Sequence, residues 1–263
     1  MTRDMIGMRM RLRGRIARMI WRGAIVGLIA IGAYPAAEAA TPMQLTYRVT
    51  HSTFGDIGTY SNTIEPSAGG GTTVQTRAHF AVKMLGVTLH REDAQRTEFW
   101  QGNRLMSFSG VTSNGGAPEV VRGQAHGNSF VINSPQGTIT APATVHPANP
   151  WSANFLSSNT MMRPDNGKLE RVRVSGGEET VVTIDGRPMH VRKYDVTGGD
   201  RYAVWLDGRG VPVQFAANDD GGTVTFTLTG CTGCNVFPAA AAEPFSAEPL
   251  AVHPPAAQQV GLR

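Results

Sequence analysis

The chain has 263 residues and a formal charge of +4 at neutral pH. The excess sits at one end: residues 1–39 hold 7 of the 24 Lys and Arg side chains and 2 of the 20 Asp and Glu side chains, leaving 17 against 18, a charge of −1, on the remainder. No clustered Lys/Arg footprint remains there to displace counterions from phosphates, which excludes nucleic acid as a partner.

In residues 1–39, Arg3, Arg9, Arg11, Arg13, Arg15, Arg18 and Arg22 precede an uncharged apolar run from Gly23 to Pro35 and the small-residue sequence Ala37-Glu38-Ala39-Ala40. This is the order of a cleavable secretory signal peptide, cut after Ala39, and it predicts a periplasmic protein. The apolar run falls short of the about 20 residues that span a bilayer. The reading is therefore a signal rather than a retained anchor, with no transmembrane segment after cleavage. No cysteine follows the cut, so lipid attachment at the new N-terminus is not available.

Residues 40–237 read as a single antiparallel β domain, large enough for its own core. Its hydrophobic period is two. Leu45, Tyr47 and Val49 alternate with Gln44, Thr46 and Arg48; Val211, Val213 and Phe215 with Pro212 and Gln214; Val224, Phe226 and Leu228 with Thr223, Thr225 and Thr227. Asn114-Gly115, Asp185-Gly186, Asp207-Gly208 and similar pairs supply the positive φ values of tight hairpins. Short hairpin connections predict an all-β, mainly antiparallel, curved up-and-down meander of about twelve strands, half-barrel-like, without parallel crossovers.

One segment interrupts the meander. Ala141 to Pro164 carries Pro142, Pro147 and Pro150 ahead of Trp151, Phe155 and Met162, a spacing that fits one or two turns of helix. An aromatic-bearing excursion of this length is a plug over the open end of the sheet or a binding lid, and packing is the commoner fate of large apolar side chains. Trp205 alternates in the opposite sense to Tyr202, Val204 and Leu206, so one face there holds a large apolar residue outside the ordinary core, or both faces are covered. In a curved sheet a second covered face is either a ligand cavity or the surface on which the Trp151 segment packs.

Candidate chemistry is sparse. A two-residue loop at Leu85-Gly86 would set His79 opposite Glu92 and Ala81 opposite His90, placing His79, His90 and Glu92 on one face within reach of a metal or a proton; a solvated polar face is the simpler outcome. Cys231 and Cys234, the only cysteines, follow the last strand. A small local disulfide fits them best, ahead of a redox role, which needs a helix N-terminus, and a metal role, which needs two more ligands. No serine sits on a glycine-flanked nucleophile elbow and no phosphate-cradling glycine loop occurs. No catalytic residue, cofactor or metal site is assigned. Pro238 to Arg263 contains 8 Ala and 5 Pro in 26 residues and reads as a disordered tail.

Several runs together resemble a known family. They are Tyr47-x-Val49 with Gly55-x-Ile57-Gly58; Leu85-Gly86-Val87-x-Leu89-x-Arg91; Glu98-Phe99-Trp100-x-Gly102-x-Arg104-Leu105; and Thr112-x-Asn114-Gly115. Trp151, Gly167-Lys168-Leu169 and Trp205-x-Asp207-x-x-Gly210 extend the likeness into the second half. The pattern, over Leu45 to Leu228, resembles a group of secreted proteobacterial proteins known as a domain of unknown function and similar in strand pattern to the lipoprotein-localisation factors LolA and LolB. The resemblance implies an envelope location and a half-barrel with an apolar concave side; it implies no activity.

The expectation is a protein, more a binder than an enzyme, that receives a hydrophobic or amphipathic, lipid-like envelope ligand against Trp100, Trp151, Phe155 and Trp205. Two alternatives stand beside it: a structural component that recruits an envelope protein partner through a sheet edge or the tail, and a thiol-dependent role through Cys231 and Cys234.

Overall fold

A computed structural model describes residues 41–67, 69–84, 87–199, 201–219 and 221–234. The predicted signal peptide and the predicted tail lie outside the described residues.

Among the described residues sixteen strands follow one another: β1 (Met43–His51), β2 (Gly55–Ser67), β3 (Gly71–Met84), β4 (Val87–Gln101), β5 (Arg104–Ser113), β6 (Glu119–His126), β7 (Ser129–Ser134), β8 (Gly137–Pro142), β9 (His146–Pro147), β10 (Thr160–Met162), β11 (Leu169–Arg171), β12 (Arg173–Ile184), β13 (Arg187–Thr197), β14 (Tyr202–Leu206), β15 (Pro212–Asp219) and β16 (Gly222–Thr232). Thirteen form one open antiparallel sheet in the order β12-β13-β14-β15-β16-β1-β2-β3-β4-β5-β6-β7-β8, and β11-β10-β9 form a second, small sheet. The all-β, half-barrel-like meander expected from the alternation is what the chain adopts, with more strands than the dozen anticipated. The exclusion of parallel pairing needs one correction: β9 and β10 run parallel through Met161–His146 and Met162–Pro147. The segment between them is long enough to return the chain in the same direction.

Hairpins build the sheet, and the join between its halves is non-local. At the β12–β13 turn, Asp185 and Gly186 sit at φ 47° and 75°, the two positive values a type I′ turn requires. Chain neighbours pair throughout, except where β16 lies against β1, Leu45 opposite Cys231 and Val49 opposite Phe226. Gly58 is required in β2: at φ 145° a β-carbon there would run into the His79 carbonyl of β3. Gly123 in β6 lies under the Phe130 ring, which occupies the space of a side chain.

The alternation sets one face inward. Leu45, Tyr47, Val49, Ile64, Val74 and Val204 are fully or almost fully buried. Tyr47 is the hub, its hydroxyl donating to the Pro212 carbonyl at 2.8 Å and its ring packed edge-on to Phe215 at 5.2 Å. Phe215 in turn stacks on Phe226 at 4.2 Å.

The excursion joins β8 to β12, the two edges of the sheet, and packs on the concave side as a plug. Its helical part is the short 3-10 turn Ala153–Ser157, capped by Ser152, whose side chain accepts from the Asn154 N–H. Trp151, Phe155, Met161 and Met162 are all buried in the common core. Among the described residues no helix is long and apolar enough to cross a membrane.

Candidate functional site

Strand β4 supplies the chemistry on the concave face. With period two, Ala94, Arg96, Glu98 and Trp100 point inward in succession, so two charged side chains enter the space between sheet and plug.

Glu98 is wholly buried and accepts three hydrogen bonds: from Trp100 Nε1 at 2.9 Å, from Trp151 Nε1 at 3.1 Å and from Asn149 Nδ2 at 2.8 Å. Asn149 also donates to Thr76 at 3.0 Å and accepts from the Tyr60 hydroxyl at 2.6 Å, and Thr76 donates to Asn62 at 2.8 Å. This network spans β2, β3, β4 and the plug, and it fixes the plug to the sheet. Burial pushes the Glu98 carboxyl up to about 7, against the opposing pull of its three donors and of Arg96. Burial likewise pushes the Tyr60 hydroxyl up to about 12.

Beside this network the packing opens into a cavity of about 200 Å³. Tyr60, Phe80, Phe215 and Phe226 line it from the sheet, with Pro150 and Met161 from the plug. Tyr202 and Ala217 close one side. Arg96, Arg163 and Glu170 are the charged residues of its wall. Arg163 pairs with Asp165 at 3.0 Å and Glu170 with Lys168 at 3.9 Å. Arg96 lies 3.9 Å from Glu92, beyond hydrogen-bond range, and its Nε is buried with no partner among the described residues.

The residues expected to line a ligand site are placed unevenly. Trp100 and Trp151 meet edge-on at 6.0 Å around Glu98, and Phe155 is buried in the same core. Trp205 pairs with Lys193 and Gln214 on the outer face, the Lys193 ammonium 5.9 Å from its ring. None of the four is among the residues that line the cavity. What alternation left undecided is resolved by face: Val204 and Leu206 turn into the core, and Trp205 turns out.

The His79, His90 and Glu92 face requires correction. A bulge between Val82 and Lys83 shifts the register by one, so His90 opposes Val82, Glu92 opposes Phe80 and His79 opposes Asp93. His79 is thereby on the outer face, 2.5 Å from Asp93, which also binds Arg91 at 2.7 Å. These two hydrogen bonds, His79 first, hold the Asp93 carboxyl below its usual range. His90 and Glu92 lie on the inner side, and burial raises the Glu92 carboxyl.

Cys231 and Cys234 are joined as a disulfide, and Arg209 donates to the Cys234 carbonyl at 3.0 Å. The local bond predicted for the pair is present.

Arg96 and Glu98 were not singled out from the sequence. The available signal was phase: both stand an even number of residues from Trp100, on the face that Trp100 and Ala94 mark as buried.

Fold and site define an open, half-barrel-like antiparallel β protein whose concave side is plugged by its own excursion and retains a small lined cavity. The model of the domain of unknown function DUF6134 matches residues 47–229, and the chain belongs to that family. Among solved structures it is similar to a β-barrel-like protein of domain of unknown function DUF1849 from Brucella abortus, with TM-score 0.56 and 13 % identity over 73 % of this chain and 97 % of that one. That likeness concerns the fold alone. A DUF1329 family protein from Desulfovibrio piger overlaps at TM-score 0.19 and 7 % identity, over 74 % of this chain and 86 % of that one, too loosely to carry an argument. No curated protein matches the chain. The likeness to LolA and LolB remains one of strand pattern in the sequence.

Proposed function

We propose that this protein binds a small amphipathic molecule in the cavity between sheet and plug, without transforming it, in the periplasm to which its first 39 residues direct it. The observation that carries the reading is the cavity itself. A half-open pocket of about 200 Å³ leaves aromatic side chains of the sheet without the neighbours that close packing would otherwise give them. Its wall of aromatic rings with a few charged groups has the make-up of a small-ligand site. An engineered cavity of roughly 150 Å³ takes up benzene, so the space here suits one ring or one short chain rather than a multi-acyl lipid. The disulfide at Cys231–Cys234 is consistent with an oxidising compartment.

Native mass spectrometry of the protein recovered from the periplasm tests both halves of the reading. The expected result is a chain cleaved after Ala39 that carries a small additional mass lost on denaturation. A bare chain whose melting temperature is unmoved by short amphiphiles of any headgroup charge would remove the binding reading. A precursor retained uncleaved would remove the location.

A further inference from the structure

Among the described residues, Arg96 is the charged group of the cavity wall with a buried donor left unsatisfied. Its side chain is 9 % exposed, its Nε is buried without a partner, and its one ion pair, to Glu92, is stretched to 3.9 Å. Desolvating a guanidinium is costly unless its donors are met, and buried donors in native structures nearly always are. The other charged residues of the wall are better provided for: Arg163 has the Asp165 carboxylate at 3.0 Å, and Glu170, 3.9 Å from Lys168, has a further interaction of its own. Glu92, the nearest carboxylate, stands too far off to hydrogen-bond the guanidinium, and its own burial opposes its charged form.

From this we infer that the cavity's ligand is a medium-chain monocarboxylate, its carboxylate seated on Arg96 and its apolar tail among Phe80, Phe215 and Phe226. The inference rests on the binding reading above and adds the headgroup. A guanidinium presents paired N–H groups as a planar fork that matches the two oxygens of a carboxylate, and with Nε covered, the two Nη groups are the edge left to receive one. The tail length follows from the volume. If roughly 150 Å³ holds the six carbons of benzene, the space here holds about eight.

Calorimetric titration of the full-length mature protein with octanoate, 1-octanol and octylamine tests it. The three probes share a chain and differ in headgroup. Octanoate is expected to bind about 10- to 100-fold more tightly than octanol, the usual worth of a charge-assisted hydrogen-bond pair, and octylamine more weakly than either. Arg96→Met is expected to bring octanoate down by about 10- to 100-fold, to the level of octanol or below, and Arg96→Lys to restore only part of the preference. Circular dichroism of each variant checks the fold, and the wild-type comparison of the three probes decides the matter even if a variant fails to fold. Octanol or octylamine binding as tightly as octanoate would overturn the carboxylate assignment and leave the cavity reading standing. Binding of none of the three would take down the cavity reading itself.

Discussion

Two inward-facing neighbours on β4, Glu98 and Arg96, are both charged, both nearly or fully withdrawn from water, and treated in opposite ways. Around Glu98 every carboxylate oxygen has a donor, one from Trp100 on β4 itself and two, Asn149 and Trp151, from the plug. Around Arg96 the nearest counter-ion is out of hydrogen-bond range and a buried donor goes unmet. The first arrangement closes a structure; the second leaves it waiting for a partner. Their adjacency teaches that the plug is fastened at one end and open at the other, and that the polar network is the fixed wall against which the cavity is measured, with Tyr60 belonging to both.

The largest effect should come from unfastening the closed end. Trp151→Ala removes a buried indole and one of the donors to Glu98, and is expected to cost about 3–5 kcal/mol of unfolding free energy in urea titration. A loss below about 1 kcal/mol, the scale of an ordinary surface change, would mean that the plug is not held at that end.

Next comes the pH dependence of the carboxyl itself. Below pH 4.5 Glu98 is protonated in folded and unfolded chains alike and contributes nothing. Between 4.5 and about 7 the unfolded chain ionises while the folded one keeps its proton, so stability falls as pH rises; above that the loss is complete, about 3 kcal/mol. His146 works in the opposite sense, since burial lowers its pKa and stability is recovered as pH rises towards 6.5. Subtracting the profile of Glu98→Gln from that of the wild type isolates the Glu98 contribution. A flat difference between pH 4 and 8 would show that the carboxyl is solvated after all.

Arg96→Met should do little to stability in the absence of ligand, within about 1 kcal/mol and with a gain as the expected sign, because it removes a buried donor that had no partner. A loss of several kcal/mol would place Arg96 with Glu98 as part of the fastening. Smallest of all, Trp205→Ala on the outer face is expected to shift the unfolding free energy by about 0.5 kcal/mol and to leave binding of octanoate unchanged.

The strands themselves were legible because one face of each is buried, and Leu45, Tyr47, Val49 and Val224, Phe226, Leu228 show that alternation without help. The excursion was legible from Trp151 and Phe155, which are too large and apolar to be left on a loop. The charged pair was not, since Arg96 and Glu98, themselves charged and on either side of Thr97, read as a wetted face until the phase of Trp100 is followed back along the strand. The histidine arrangement failed for a different reason: a single bulged residue at Val82/Lys83 exchanges the faces of everything beyond it, and nothing in the composition of that turn announces the extra residue. The position of β16 beside β1 is equally silent in the sequence, because pairing between distant strands leaves no local pattern.

That last pairing has a consequence for the order of events in folding. The first strand has one neighbour within a few residues and the other at the far end of the domain, with Leu45 matched to Cys231 and His51 to Val224. The two halves of the sheet cannot be joined until the final strand has been made, so the slow, long-range step of folding falls after synthesis rather than during it. Local hairpins can close earlier on either side of that join, so the first strand keeps one edge unmatched until the last strand reaches it.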